Sequence, residues 1–412
     1  MNFRRILFLN FLFFPTCALG IQGKIPKILW GRKIIINGPT GVGKTKFDGF
    51  GRITSINFLE NEEPVPIISE TIVPKETDTN FPLGDLIEPN FLSSFSKYFK
   101  ALKEPNTIST QYCNTAVRKY LGDYYAVEES CRPIKLEYDS EGKIRCIERP
   151  SDIERMAAHL INSDTRFSYT HFKTFPLKFN DTVIPWNSNK NPLFVHTGKI
   201  TPCGRYIIFP LLSTGFGNII PWISKQVSFP LSGESSKFRW LIYDIETNQC
   251  NEITSDKFID IFHIAKLEIV GDKINIFTTH IYNFLNWLSD TEDLGMSLHK
   301  HTINLKENII EAIDDLGIDM DFIHTQGDEF IGSTCKTPPE VVIYNFISKK
   351  VRRMFLPGGI VREIIPLGKL LIYFSHEIDK TYLYVVSKIT GGTLTKIEVP
   401  NRPPGLHTSL LT

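Results

Sequence analysis

Gly38, Gly43, Lys44 and Thr45 stand on the spacing G-x-x-x-x-G-K-T, directly after the apolar run KIIIN at residues 33–37. Such a loop cradles phosphate only when a strand enters it and a helix leaves it, because the helix supplies free N–H groups and a favourable dipole. Here Thr45 leads into KFDGFGRITSINF. Gly49 and Gly51 oppose a helix, and Ile53, Ser55 and Asn57 alternate with Thr54, Ile56 and Phe58 as in a strand. No later strand ending in aspartate follows in an alternating β–α pattern. Residues 38–45 are therefore read as a glycine-rich turn between two strands, with no nucleotide bound. The other reactive side chains are ten histidines and seven cysteines. None of the cysteines forms a C-x-x-C pair, which argues against a zinc site.

The elements that must position these residues are short strands. Of the 412 residues 42% are hydrophobic and 22% charged, and Phe (30) and Tyr (14) are abundant beside Gly (27) and Pro (25). Aromatic strand residues and frequent turns favour β structure. A net charge of +1 provides no field for nucleic acid. The segments RWLIYDIETNQCNEI, EVVIYNFISKKVRRM and TYLYVVSKITGGTLTKIEV each spell strand, polar turn, strand, starting near residues 239, 340 and 381. Hairpins recurring at about 40 residues predict the blades of a β-propeller rather than a sandwich. Helical periodicity is confined to residues 90–103, 151–161 and 307–315.

At the N-terminus, Arg4 and Arg5 precede an apolar stretch from Ile6 that ends in Ala18-Leu19-Gly20. This is the layout of a signal peptide over residues 1–20, leaving residues 21–412 as one domain. Asn10 and Pro15 interrupt the stretch, which is short for a membrane span. Cleavage would send the protein into the secretory pathway or outside the cell; an intact leader would leave it at a membrane periphery or in the cytoplasm. Without Cys17, six cysteines remain (Cys113, Cys131, Cys146, Cys203, Cys250 and Cys335), a number that permits three disulfides. Asn180-Asp181-Thr182 is a glycosylation sequon.

The stretch around the glycine loop carries a second pattern. Gly23, Ile25 and Pro26, then Asn37-Gly38-Pro39, then Phe47-Asp48-Gly49 and Gly51 resemble in order and spacing the opening of the carotenoid cleavage oxygenase family, of the animal β-carotene oxygenase and retinal pigment epithelium isomerohydrolase type. The resemblance runs from about Gly23 to Leu411. It implies an all-β, seven-bladed β-propeller with a few short helices capping an iron face, and Fe(II) held by four histidines. His159 in RMAAHLINSD, His196 in PLFVHTGKITPCGRYIIFPLL and His407 in VPNRPPGLHTSLL match the family's surroundings. His263 in DIFHIAKLEIVGDKINIF keeps the Phe-His pair and Glu268 but lacks the family's asparagine and is one residue shorter. Three carboxylates are implied behind the ligands: Glu129 in DYYAVEES, with Glu128 as neighbouring competitor, Glu329 in GDEFIGS and Glu363 in IVREIIP.

The chemistry suits those types. Neutral imidazoles hold iron and leave it its full charge, while carboxylates on the opposite ring nitrogens fix the tautomer and offset that charge. His171, His280, His299, His301, His324 and His376 are read as ordinary core or surface residues. The resemblance implies oxidative cleavage of a conjugated C=C bond of a carotenoid or apocarotenoid by O2, giving retinal-type carbonyl products. Its alternatives are a retinoid isomerohydrolase on the same iron, or a retinoid-binding propeller without turnover. An apolar polyene would be the partner, and residues 215–223 and 284–288 offer apolar segments for peripheral membrane contact.

Overall fold

The computed structural model describes residues 20–40, 49–60, 65–74, 113–128, 132–153, 156–159, 167–168, 177–179, 182–186, 193–195, 197–213, 238–257, 260–281, 296–334 and 336–411. Their strands form seven antiparallel sheets. In chain order, blade one holds Lys33–Pro39, Gly51–Asn57 and Ile67–Ile72; blade two runs from Ala116–Tyr120 to Ile144–Cys146. Blade three is three two-residue strands with Lys178–Phe179 in the middle. Blade four centres on Tyr206–Ser213, Arg239–Asp244 and Gln249–Thr254. Blade five holds Asp260–Val270, Lys273–Ile281, Met296–Asn304 and Ile309–Ile318, and blade six Asp321–Gln326, Glu329–Ser333, Glu340–Asn345 and Lys350–Phe355. Blade seven runs Ile360–Leu367, Leu370–His376, Thr381–Ser387 and Thr393–Val399, and Ile21–Gly23 joins its outer edge.

The last strand, His407–Leu411, does not extend blade seven. It pairs with Lys33–Pro39 and becomes the innermost strand of blade one. The first strands of blades four to seven touch in succession, blade seven touches His407–Leu411, and that strand touches Ala116–Tyr120 of blade two. The fold is a seven-bladed propeller in which the C-terminal strand His407–Leu411 joins blade one and so links blades seven, one and two.

The recurring hairpins have a local cause. Asp244, Asn304, Asn345 and Ser387 end strands in blades four to seven, and each side chain accepts backbone N–H groups two and three residues on. Four residues after each, Asn248, Asn308, Lys349 and Gly391 take positive φ of 53°, 58°, 60° and 73°. Capped turns of this kind return the chain in register. The core lies between blades rather than within one. Phe238, Trp240 and Ile242 of blade four pack on Ile274, Ile276 and Ile303 of blade five. Ile331, Val341 and Ile343 of blade six pack likewise on Val361, Ile364 and Tyr373 of blade seven.

Two expectations are corrected. Residues 307–315 are a turn and the start of the edge strand Ile309–Ile318, not a helix. Irregular register at Thr302/Ile303 and at Leu298/His299 interrupts the two-residue alternation, which spaces the apolar residues as a helix would. The described part of 151–161 is also non-helical, with Met156, Ala157 and Ala158 fully buried; residues 90–103 lie outside the described residues. Among the described residues the one helical turn is Lys27–Leu29, so the capping helices are not found there.

Of the glycine loop, Gly38 and Thr40 are described, while Gly43, Lys44 and Thr45 lie outside. Lys33–Pro39 pairs antiparallel with Gly51–Asn57, and the Thr40 N–H donates to Phe50 O at 3.0 Å. The segment therefore connects two strands that pair antiparallel in one hairpin. Cys146, Cys203 and Cys250 are free thiols; Cys131 and Cys335 lie outside the described residues, as do residues 1–19, 215–223 and 284–288.

Candidate metal centre

Three blades contribute an irregular first strand at the same end of the ring. The register slips between Ile261 and Ile264 in blade five, Asp321 and His324 in blade six, and Val361 and Ile364 in blade seven. A bulge bends a strand and re-aims its side chains. Those slips bracket His263, the Asp321-Phe322 pair and Glu363.

His263 meets His159, from the segment after blade two, and His407, the first residue of the closing strand. Ring centroids are 4.8 Å apart for His159–His263 and for His159–His407, and 6.1 Å for His263–His407. One ring nitrogen of each lies within 4.8 Å of the others. The planes cross at 56°, 83° and 74°, as suits lone pairs converging on a point. His280 and His299 differ: they stack at 3.6 Å and 9° inside blade five.

Carboxylates stand behind two of the rings. His263 Nδ1 lies 2.7 Å from Asp321 Oδ1, which also accepts from Thr279 Oγ1 at 3.1 Å. The same Thr279 oxygen accepts the His263 N–H at 3.1 Å, and Thr278 Oγ1 donates to His263 O at 2.6 Å, so both backbone groups at the bulge are satisfied. His407 Nδ1 lies 3.1 Å from Glu363 Oε2, which takes the Thr408 N–H at 2.7 Å. Burial opposes ionisation of Glu363, but His407 and His324 hold its carboxyl well below the usual range. Burial pushes the His407 imidazole down against the pull of Glu363, so the pair is a neutral imidazole donating to a carboxylate. Donation through Nδ1 leaves the Nε2 lone pair of each ring to face the centre.

Phe322 packs on His263 and His407 with both centroids at 5.3 Å. Its φ of 50° is rare for a bulky residue and is held by its surroundings. Gly332 on the neighbouring strand makes room, since a Cβ there would lie 2.5 Å from Asp321 O.

His196 and Glu129 lie outside the described residues; Glu128 is buried and accepts the Cys113 N–H at 3.0 Å. Glu329 follows the turn glycine Gly327, at the far end of its hairpin, and pairs with Lys388 at 2.7 Å. The blade-six carboxylate that faces a histidine is Asp321 instead. Counting back from the hairpin turns comes only within one residue of it. Glu363 stands five residues before Gly368 and Asp321 six before Gly327, the extra residue being taken up by a bulge.

At the sequence level no family model matches the chain, and none of the curated proteins does. Among solved structures it is similar to a cobalt-substituted apocarotenoid oxygenase of Synechocystis, with a TM-score of 0.70 at 14% identity over 95% of each chain. The fold is that of the carotenoid cleavage oxygenases. A lignostilbene dioxygenase of Pseudomonas brassicacearum superposes with a TM-score of 0.69 at 15% identity, covering 95% of this chain and 94% of that one. The oxygenase fold thus persists here at an identity too low to carry individual residues across, and the donor set must be judged by its own chemistry. Converging imidazoles backed by Asp321 and Glu363 fit a divalent first-row ion: nitrogen donors suit iron, and the two carboxylates offset its charge from outside.

Proposed function

We propose that this chain is a non-haem Fe(II) dioxygenase that cleaves a conjugated C=C bond of a carotenoid or apocarotenoid into two carbonyl products. The observation that carries this reading is the convergence of His159, His263 and His407 at one end of the propeller, with Asp321 and Glu363 behind two of them. His196 is proposed as the fourth ligand. Iron held there would supply the activation of O2, each of whose atoms ends in one carbonyl.

The residues around the centre bind and orient. Asp321 and Glu363 hold the Nδ1 protons of His263 and His407, so those rings act as donors and not as proton shuttles. Phe322 covers both rings with an apolar face, which keeps water from that side. No general acid or base is assigned, because inserting O2 across a double bond transfers no proton. Bond selection falls to the apolar surroundings that align the polyene.

The test is anaerobic Fe(II) loading followed by product analysis on a carotenoid panel under 18O2. The expected result is stoichiometric iron and paired aldehydes or ketones labelled from O2. Iron uptake by the unaltered protein with no cleavage of any polyene would exclude the dioxygenase, and hydrolysis with isomerisation of a retinyl ester would favour the isomerohydrolase. Failure to bind iron would exclude both.

A further inference from the structure

Glu363 has two oxygens and uses them differently. Oε2 serves His407 Nδ1 and the Thr408 N–H, while Oε1 lies 2.8 Å from Nε2 of His324. His324 comes from Asp321–Gln326 of blade six, Glu363 from blade seven, and His407 from the strand that closes blade one. One hydrogen-bonded chain therefore crosses three blades. Its outer end is half-buried, with the His324 side chain 33% exposed, whereas Glu363 and His407 are at 9% and 6%.

An ionised carboxylate only accepts, so Nε2 of His324 carries the proton and donates. That bond has a geometric consequence. A glutamate side chain has three torsions, and a buried carboxylate held by one oxygen can rotate away from its partner. Anchoring Oε1 on blade six fixes the carboxylate plane, so that Oε2 stays on His407 Nδ1.

We propose that His324 is a positioning residue of the metal centre, acting through Glu363 to fix the tautomer and orientation of His407. This rests on the metal-centre reading above. His324 touches neither ligand nor substrate in this scheme; its bond to Glu363 sets the direction of a donor lone pair one residue further in. Groups behind a ligand carry effects of this kind, typically about 10–100-fold in metal affinity.

Co(II), which a solved oxygenase of this fold carries, reports both affinity and ligand geometry. The full chain, stripped of metal, is titrated with Co(II), and its visible d–d bands are recorded for the unaltered protein, His324→Leu and His324→Gln. Leu removes the donor; Gln restores an N–H. The expected result is a Co(II) Kd raised about 10–100-fold and shifted bands in His324→Leu, with both returned toward the unaltered values in His324→Gln. In a Glu363→Gln background, His324→Leu should cost little more, because the route through Glu363 is already cut. Unchanged affinity and bands in a folded His324→Leu, with only the apo thermal midpoint lowered, would make His324 a mere strut between blades and overturn the inference. If His324→Leu does not fold, a folded His324→Gln with weakened affinity and altered bands would overturn it equally. Absence of Co(II) binding by the unaltered protein would instead overturn the metal-centre reading, and this inference with it.

Discussion

Asp321 does for His263 what Glu363 does for His407, yet the two carboxylates are reached differently. The glutamate is braced by His324, by a backbone N–H and by its ligand. The shorter aspartate has Thr279 and His263 on one oxygen, while its other oxygen is buried with no hydrogen-bond partner among the described residues. A buried acceptor left this way is costly, and the arrangement is retained where the charge serves a neighbour. Asp321→Asn keeps the size and removes the charge. We expect Fe(II) or Co(II) affinity to fall about 10–100-fold, measured by anaerobic titration, with the far-UV spectrum unchanged. Glu329→Gln, at the turn end of its hairpin and paired with Lys388, should leave that affinity unaltered.

At the scale of elements, the strand Lys33–Pro39 shows how a resemblance to a phosphate loop hides a structural role. Asn37 Nδ2 donates to Cys113 O at 2.7 Å and to Ala116 O at 3.0 Å, tying blade one to blade two, and Asn37 O accepts the Leu406 N–H at 2.9 Å. Gly38 faces Gly405 so closely that a Cβ on it would lie 2.6 Å from the Gly405 Cα. Together they deliver His407 to its place at the start of the closing strand. Asn37→Ala leaves two carbonyls without that donor, and should cost about 1–3 kcal/mol, read from the denaturant midpoint of the metal-free protein. The Asn-Gly pair was legible as part of a family-like opening; its function as the anchor of the last histidine was not. Bulges were also illegible, since a slip in register depends on the neighbouring strand. That is why the edge strand Ile309–Ile318 resembled a helix and why Glu329 took the place of Asp321.

At the scale of the whole molecule, a ring of blades packs its core between neighbours, and one such interface is polar. Trp240 Nε1 of blade four donates to His301 Nδ1 at 3.1 Å, so His301 carries its proton on Nε2 and donates to His280 Nε2 at 2.8 Å. All these rings are buried. Burial pushes His301 down to about 3 and lowers His280 and His299 as well. Unfolded histidines titrate near 6.5, so between about 6.5 and 3 the unfolded chain binds more protons than the folded one. Stability is then full above about pH 6.5 and is lost as the pH falls toward 3. The low carboxyl of Glu363 adds loss in the same direction below the ordinary glutamate range. We expect the thermal midpoint of the metal-free protein to drop through this window, and His301→Gln to flatten the upper part of the drop.

What the sequence by itself determined was the repeating unit and the residue types of the centre. A strand, a capping Asp, Asn or Ser and a left-handed residue four positions on are a local code, and local hydrogen bonds enforce it. Histidines matched to a family-like context supplied candidates, and His159, His263 and His407 were among them. Only the tertiary structure decided that these three meet, because 248 residues separate the first from the last and ring closure alone brings them together. It also chose Asp321 to face His263 and put His324 beside Glu363, contacts made across blade boundaries where no sequence period reaches.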